Sequence, residues 1–214
     1  MIYKSLNPQK ALIWRIVHRD NLKWILTNGI HCANSSQLSP NYVNIGNSEL
    51  IDRRRHRAVP IGPRGTLADY VPFYFTPFSV MMMNIHSGRS VQKRQNDEIV
   101  ILVSSLYRLA DLNLPFVFTN AHAYPNWTNY YNDFANLDKI DWTILQNRDF
   151  RRDPDDPRKI ERYQAEALVH SHLPVHALLG VICYTEQLKA NIEDQISKLD
   201  LNLTVHVRKD WYFK

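Results

Sequence analysis

The stretch Lys159–His170, KIERYQAEALVH, carries the chain from its most polar region into a segment fit for a core. Upstream lies RRDPDDPRK (151–159), and downstream EALVH turns apolar. Read as a strand, QAEALVH places Gln164 and Glu166 on one face and Ala165 and Ala167 on the other, because side chains alternate across a strand. Alanines permit close packing. A carboxylate at the strand entrance, facing a cleft, can stabilise a developing cation or hold a sugar hydroxyl. The plainer alternative is that Glu166 pairs with a nearby arginine.

Further strands are expected on both sides. ALIWRIVH (11–18) reads as a short strand, followed by Asp20 as an N-cap and a helix over NLKWILTNG (21–29) that ends at Gly29. YVPFYFTP (70–77) is aromatic and strand-like. SVMMMNIHSG (79–88) reads as a helix closing at Gly88, with its methionines packing a core. EIVILVSS (98–105), PFVFT (115–119), LLGVICY (178–184) and LNLTVHV (201–207) supply the remaining strands. Between the last two, Leu188, Ile192, Ile196 and Leu199 share one helical face. NWTNYYNDFANLDKIDWTILQ (126–146) is expected to be helical. Residues 33–66 form a long loop with a helical segment near Ser48–His56. The result is a mixed α+β fold in one domain over 1–214, with about seven strands.

The 214 residues carry 44% hydrophobic and 22% charged side chains, enough for a sizeable core and average for a soluble domain. The longest apolar runs are too short to cross a bilayer, and MIYKSLNPQK shows no secretion signal. Cys32 and Cys183 have no metal-type spacing and fit reduced thiols in a cytoplasm. Six glycines, none in GxGxxG or GxxxxGK[ST], argue against a doubly wound nucleotide fold. CxxC, HExxH and GxSxG are absent, so zinc and serine hydrolases lose their usual signatures. No metal site is expected.

The net charge of +5 permits a polyanionic partner without requiring one. The arginines gather in DRRRHR (52–57) and RDFRRDPDDPRKIER (148–162), both expected to be loops. Arginine grips phosphate bidentately and stacks on bases, although such runs are commonly solvated faces. Arg15, inside an apolar strand, needs a groove or an anionic ligand, because an unpaired buried charge is costly. His18 has the plainer reading of a satisfied histidine at a strand end.

Together, WRIVHRDNLKWILTNGIHC (14–32), DRRRHRAVPIGPRGTLADYVPFYFTPFSVMMMNIHSG (52–88), LPFVFT, QAEALVH and VRKDWYF (207–213) resemble the DarT family of bacterial toxins, which ADP-ribosylate DNA bases with NAD. The resemblance implies an ADP-ribosyltransferase fold, a split mixed or antiparallel sheet around an NAD cleft. It places the catalytic glutamate at Glu166 and a second important residue at Arg54. It implies NAD contacts at Arg15, Val17, His18, Asn21, Tyr74, Ser79 and Met81. The DNA contacts it implies are Arg53, Arg55, His122, Arg151 and Gln164.

NAD would be a co-substrate rather than a bound cofactor. Single-stranded DNA and a macrodomain antitoxin would be the partners, in a bacterial cytoplasm. Aromatics such as Tyr124, Trp127, Tyr130 and Tyr131 suit stacked bases. One departure concerns the base. Thymine-modifying members carry His-x-x-His-x-Asp-Asn, where this chain has Arg15-x-x-His18-Arg19-Asp20-Asn21. That exchange favours guanine. Transfer to RNA or protein, or a non-catalytic nucleic-acid-binding domain, are the rival readings.

Overall fold

A computed structural model describes residues 2–214; Met1, the first residue of the expected domain, lies outside the described residues. In chain order the elements are β1 (Leu12–His18), α1 (Leu22–Asn28), β2 (Ile30–His31), α2 (Ser48–Arg55), β3 (Tyr70–Tyr74), α3 (Val80–Ser87), β4 (Ile99–Ser105), α4 (Leu106–Asp111), β5 (Phe116–Thr119), β6 (Tyr130–Tyr131), α5 (Trp142–Asn147), α6 (Lys159–Tyr163), β7 (Glu166–His170), β8 (His172–Leu173), β9 (Gly180–Cys183), α7 (Glu186–Lys198) and β10 (Thr204–Val207). Eight strands join one sheet in the order β10-β9-β4-β1-β3-β7-β5-β6, and β2 pairs with β8. The β9–β10 pair is parallel; the other pairs are antiparallel.

The expected split lies between β1 and β3. β1 pairs with β4 along its whole length, from Leu12↔Ser105 to His18↔Ile99. Against β3 it has one registered pair among the described residues, Trp14↔Tyr74. Pro72, in the middle of β3, has no N–H to give a ladder. Its carbonyl accepts instead from Arg15 Nη1 at 2.8 Å. Beyond the split, β3 pairs with β7 from Tyr70↔His170 to Tyr74↔Glu166. The sheet thus has a tight half ending at β1 and a second half, β3-β7-β5-β6, hinged on it. β4 is buried throughout, which accounts for its continuous apolar run.

Four expectations need correction. Gln164 is not in a strand: KIERY forms α6, Gln164 is its C-cap, and β7 starts at Glu166. Buried Tyr163 ends that helix and donates its hydroxyl to Phe78 O at 3.0 Å, which overrides the apparent alternation. The loop-like reading of DRRRHR gives way to the helical segment expected near Ser48–His56, which is borne out: Arg53–Arg55 form the last turn of α2. Residues 126–146 form no single helix. They contain the two-residue β6, a 3-10 turn at Phe134–Lys139 with Asp133 as its N-cap, and the short α5 with Asp141 as its cap. Asp20 caps no helix; His18 Nδ1 accepts the Asp20 N–H instead.

Candidate active site

The site is built where the second half of the sheet meets α2. Glu166 opens β7 opposite Tyr74, and its side chain is 2% exposed. A buried carboxylate needs compensation, and here it comes from three N–H groups. Arg54 Nη1 donates to Oε1 at 3.0 Å and Nη2 to Oε2 at 2.7 Å, a bidentate fork. The Ala123 N–H donates to Oε1 at 2.8 Å. His122 Nε2 stands 3.8 Å from the same oxygen. The Glu166 N–H is held by Thr119 Oγ1 at 3.0 Å.

The electrostatics follow. Burial pushes the Glu166 carboxyl up, but the Arg54 charge, His122 and the donors from Arg54 and Ala123 outweigh it, so its pKa lies below the usual carboxylate range. Burial pulls Arg54 down, yet Glu166 raises it further, and it stays a guanidinium. His122 is lowered, mainly by burial and then by Arg54, against the opposing pull of Glu166. The Tyr74 hydroxyl is pushed up to about 12, first by burial and then by Glu166. Near neutral pH the site therefore holds a carboxylate, a guanidinium, a neutral imidazole and a neutral phenol.

Helix α2 buries none of its residues and forms a wall shared by three clefts. The first, about 310 Å³, opens at the sheet split and is lined by Arg15, Trp24, Tyr42, Tyr70, Pro72, Arg54 and Arg55, among others. The second, about 290 Å³, lies on the other side of α2 between Arg53, Tyr74, Met81, His122 and Gln164. The third, about 350 Å³, runs between Arg53, His56, Arg57, Tyr124 and Asn126. Arg15 is tied to Pro72 by Nη1, but its Nε is buried without a hydrogen-bond partner. The guanidinium as a whole lines the first cleft, where its charge suits an acceptor-rich ligand.

The residues singled out in the sequence fall into two groups. Glu166 and Arg54 are in direct contact. Arg15 and Arg55 line the first cleft, and Arg53, Tyr74, Met81, His122 and Gln164 line the second. Val17, His18, Asn21, Ser79 and Arg151 line none of the three, and neither does the enclosed Glu166, which meets the first cleft through Arg54 and the second through Tyr74 and His122. Val17 is core. His18 sits beside Glu98 and Asp20. Asn21 pairs through its amide with both backbone groups of Val43, pinning the 33–46 loop. Ser79 caps α3 through Met82 N. Arg151 projects into solvent at 88% exposure. Sequence reading missed Ala123 and Thr119. A backbone N–H has no side-chain signature, and Thr119 reads only as the end of an apolar strand. Among the described residues no group of three or more His, Cys, Asp or Glu side chains could hold a metal ion.

Comparison with known proteins gives the family and the fold. The family described as "ssDNA thymidine ADP-ribosyltransferase, DarT" matches residues 14–213. The chain is 61% identical over 210 residues to a DNA ADP-ribosyl transferase of Escherichia coli O127:H6, covering 98% of this chain and 96% of that protein. Thermus sp. 2.9 DarT in complex with ADP-ribosylated ssDNA superposes with a TM-score of 0.89 at 30% identity, covering 97% of this chain and 98% of that one. The same Thermus protein in complex with NAD+ gives 0.85 at 30% identity, covering 97% and 100%. With a family match over nearly its whole length and a close relative covered end to end, the chain belongs to the DarT family of DNA ADP-ribosyltransferases.

Proposed function

We propose that this protein cleaves NAD and attaches the ADP-ribose to a base of single-stranded DNA, with guanine favoured over thymine. The observation that carries the mechanism is the coordination of Glu166. An ionised carboxylate offers about four acceptor positions. Arg54 and the Ala123 N–H take three, which leaves one on Oε2. That position suits a ribose hydroxyl of NAD. As the nicotinamide–ribose bond breaks, its electron pair leaves with the nicotinamide nitrogen, and an oxocarbenium-like sugar develops. The preorganised carboxylate stabilises that charge without reorganising.

The attacking base nitrogen must shed a proton. Arg54 is permanently protonated and is no ordinary general base. His122, neutral and beside Glu166, can take it. The first cleft suits NAD, with flat apolar walls for rings and Arg15 for an oxygen-rich group. The second suits the acceptor base, with Gln164 and His122 facing it. Within this reading the DNA strand runs over Arg53 and the third cleft. The chain acts as one domain, a bacterial cytoplasmic toxin countered by a macrodomain antitoxin.

Arg15 supports guanine, because a charged guanidinium replaces the imidazole of thymine-modifying members. A pocket built to pair with one base edge strands polar groups against another. The test supplies labelled NAD with single-stranded DNA oligonucleotides each lacking one base, alongside RNA and protein. Label on DNA that vanishes with guanine is expected. Label that survives without guanine and vanishes with thymine overturns the base assignment. Label on RNA or protein alone overturns the substrate.

A further inference from the structure

Between β5 and β6 the chain makes a tight turn through Ala121, His122 and Ala123, outside helix and ladder. Buried backbone groups in such a turn need partners from elsewhere. Here three consecutive carbonyls are each capped by a hydroxyl. Thr119 Oγ1 donates to Ala121 O at 2.6 Å, Thr128 Oγ1 to His122 O at 2.7 Å, and the Tyr130 hydroxyl to Ala123 O at 2.5 Å. Two amides of the turn are also committed: His122 N–H to Glu161 O at 2.8 Å, and Ala123 N–H to Glu166 Oε1. Thr119 is fully enclosed. Its lone pair takes the Glu166 N–H while its proton goes to the turn. It therefore ties the turn directly to the first residue of β7.

We propose that Thr119, Thr128 and Tyr130 form a hydroxyl cradle that positions the Ala121–Ala123 turn, and with it the Ala123 N–H and His122, against Glu166. The turn has no regular structure to hold it. The cradle fixes it from the end of β5 on one side and from the returning strand on the other. Productive geometry at such a site tolerates only about 0.5 Å of looseness. Thr119, Thr128 and Tyr130 line none of the three clefts, and each hydroxyl is spent on a carbonyl of the turn; they act through it. The inference rests on reading Glu166 as the catalytic carboxylate.

The experiment compares Thr119→Val, Thr119→Ser, Tyr130→Phe and Glu166→Gln for transfer to single-stranded DNA. Rates are taken per folded molecule, with kcat, the KM for NAD and the pH–rate profile measured for each. A misplacement of about 1 Å at the reacting centre, caused by a change away from it, can cost about 10²-fold in rate. Thr119→Val is expected to lose that much kcat with the KM for NAD little changed. Its acid limb should move, because the displaced turn carries both the Ala123 N–H that favours the charged Glu166 and the His122 imidazole that takes the proton. Thr119→Ser, which keeps the hydroxyl, should restore both. Tyr130→Phe should fall the same way, and because Tyr130 is only partly buried it keeps the test alive where Thr119→Val fails to fold. Wild-type kcat in both hydroxyl-deleted variants overturns the cradle while Glu166→Gln stays inactive. So does a loss that serine does not rescue, or an unmoved acid limb. If Glu166→Gln itself transfers normally, the reading of Glu166 fails and the cradle has nothing to position.

Discussion

Helices α2 and α7 are both exposed and highly charged, yet they are held in opposite ways. α7 is capped by Thr185, whose hydroxyl accepts from Leu188 N, and buries Ile192 and Ile196 against the sheet. Its sequence carries the whole reason for its place. α2 has an equally good cap, Asn47 accepting from Leu50 N, but buries nothing. What fastens it is one side chain, Arg54, reaching an enclosed carboxylate 112 positions away. Asn47 Nδ2 adds a tie to Ser90 O at 3.0 Å. One helix is placed by the core and the other by the site, so substitutions in the two should separate stability from chemistry.

Arg54→Ala should have the largest effect. It removes the fork on Glu166 and strands a buried charge, which costs about 3–5 kcal/mol of stability. Loss of a preorganised contact at the reacting centre costs about 10²–10³ in rate. Hydrogen exchange in α2 should become fast while α7 stays protected. The pH dependence of the Glu166 contribution should also reverse. In the wild type the Glu166 pKa is depressed, so its stabilising contribution is complete above the ordinary carboxylate range and is lost as pH falls through the lowered value. In Arg54→Ala, burial dominates and raises the pKa, so the contribution of Glu166 to stability should rise as pH falls from neutral. Denaturant titrations of wild type and variant across the acid range check the sign in the difference between the two, because lowered carboxyls at Asp69, Glu98, Asp149, Asp156 and Asp210 lose stability on acidification in both. A difference that does not shrink as pH falls would show that Arg54 is not what holds Glu166 charged.

Ile192→Ala is the counterpart in α7. Ile192 is 1% exposed, and a buried Ile→Ala change typically costs about 2–5 kcal/mol. Transfer per folded molecule should stay at the wild-type rate, since α7 packs on β9 and β10, in the half of the sheet that ends at β1 and lies away from Glu166. A fall in kcat matching that of Arg54→Ala would dissolve the distinction between the two helices.

The same contrast explains what the sequence disclosed. β4 was legible as an unbroken apolar run, α7 by the helical period of Leu188, Ile192, Ile196 and Leu199, and α3 by its close at Gly88. The sheet split was half legible: Pro72 stands in the open, but only the fold shows its carbonyl meeting Arg15. The family motifs located Glu166 and Arg54, and the structure joins them. KIERY misled because a five-residue helix has too few turns to display a period. Residues 126–146 misled because aromatic density resembles a helical face, whereas Asp133 and Asp141 restart the chain within eight positions. The hydroxyl cradle was invisible, since its side chains come from separate stretches and its acceptors are backbone.

The smallest effect sharpens the comparison most, because it lies within α2 itself. Arg53 and Arg55 flank Arg54, but helical rotation of about 100° per residue turns them to different sides. Arg53 lines the second and third clefts and pairs with Glu49 one turn earlier; Arg55 lines the first cleft and stands 3.6 Å from Asp52. Both side chains are more than half exposed, so either alanine should change stability by less than about 0.5 kcal/mol. Their effects on ligands should differ. Arg53→Ala should lower the slope of log affinity against log salt by about 0.7, the share of one phosphate contact on a single strand, and leave the KM for NAD unchanged. The family resemblance makes Arg55 a DNA contact, but it lines the cleft proposed for NAD, so Arg55→Ala should raise the KM for NAD and leave the salt slope alone. Binding curves at several salt concentrations, with NAD titrations on the same preparations, read both. Equally lowered slopes for the two variants would mean that DNA and NAD are not divided across this helix, whereas wild-type slopes and a wild-type KM in both would make the arginine run a solvated face around the one residue that reaches Glu166.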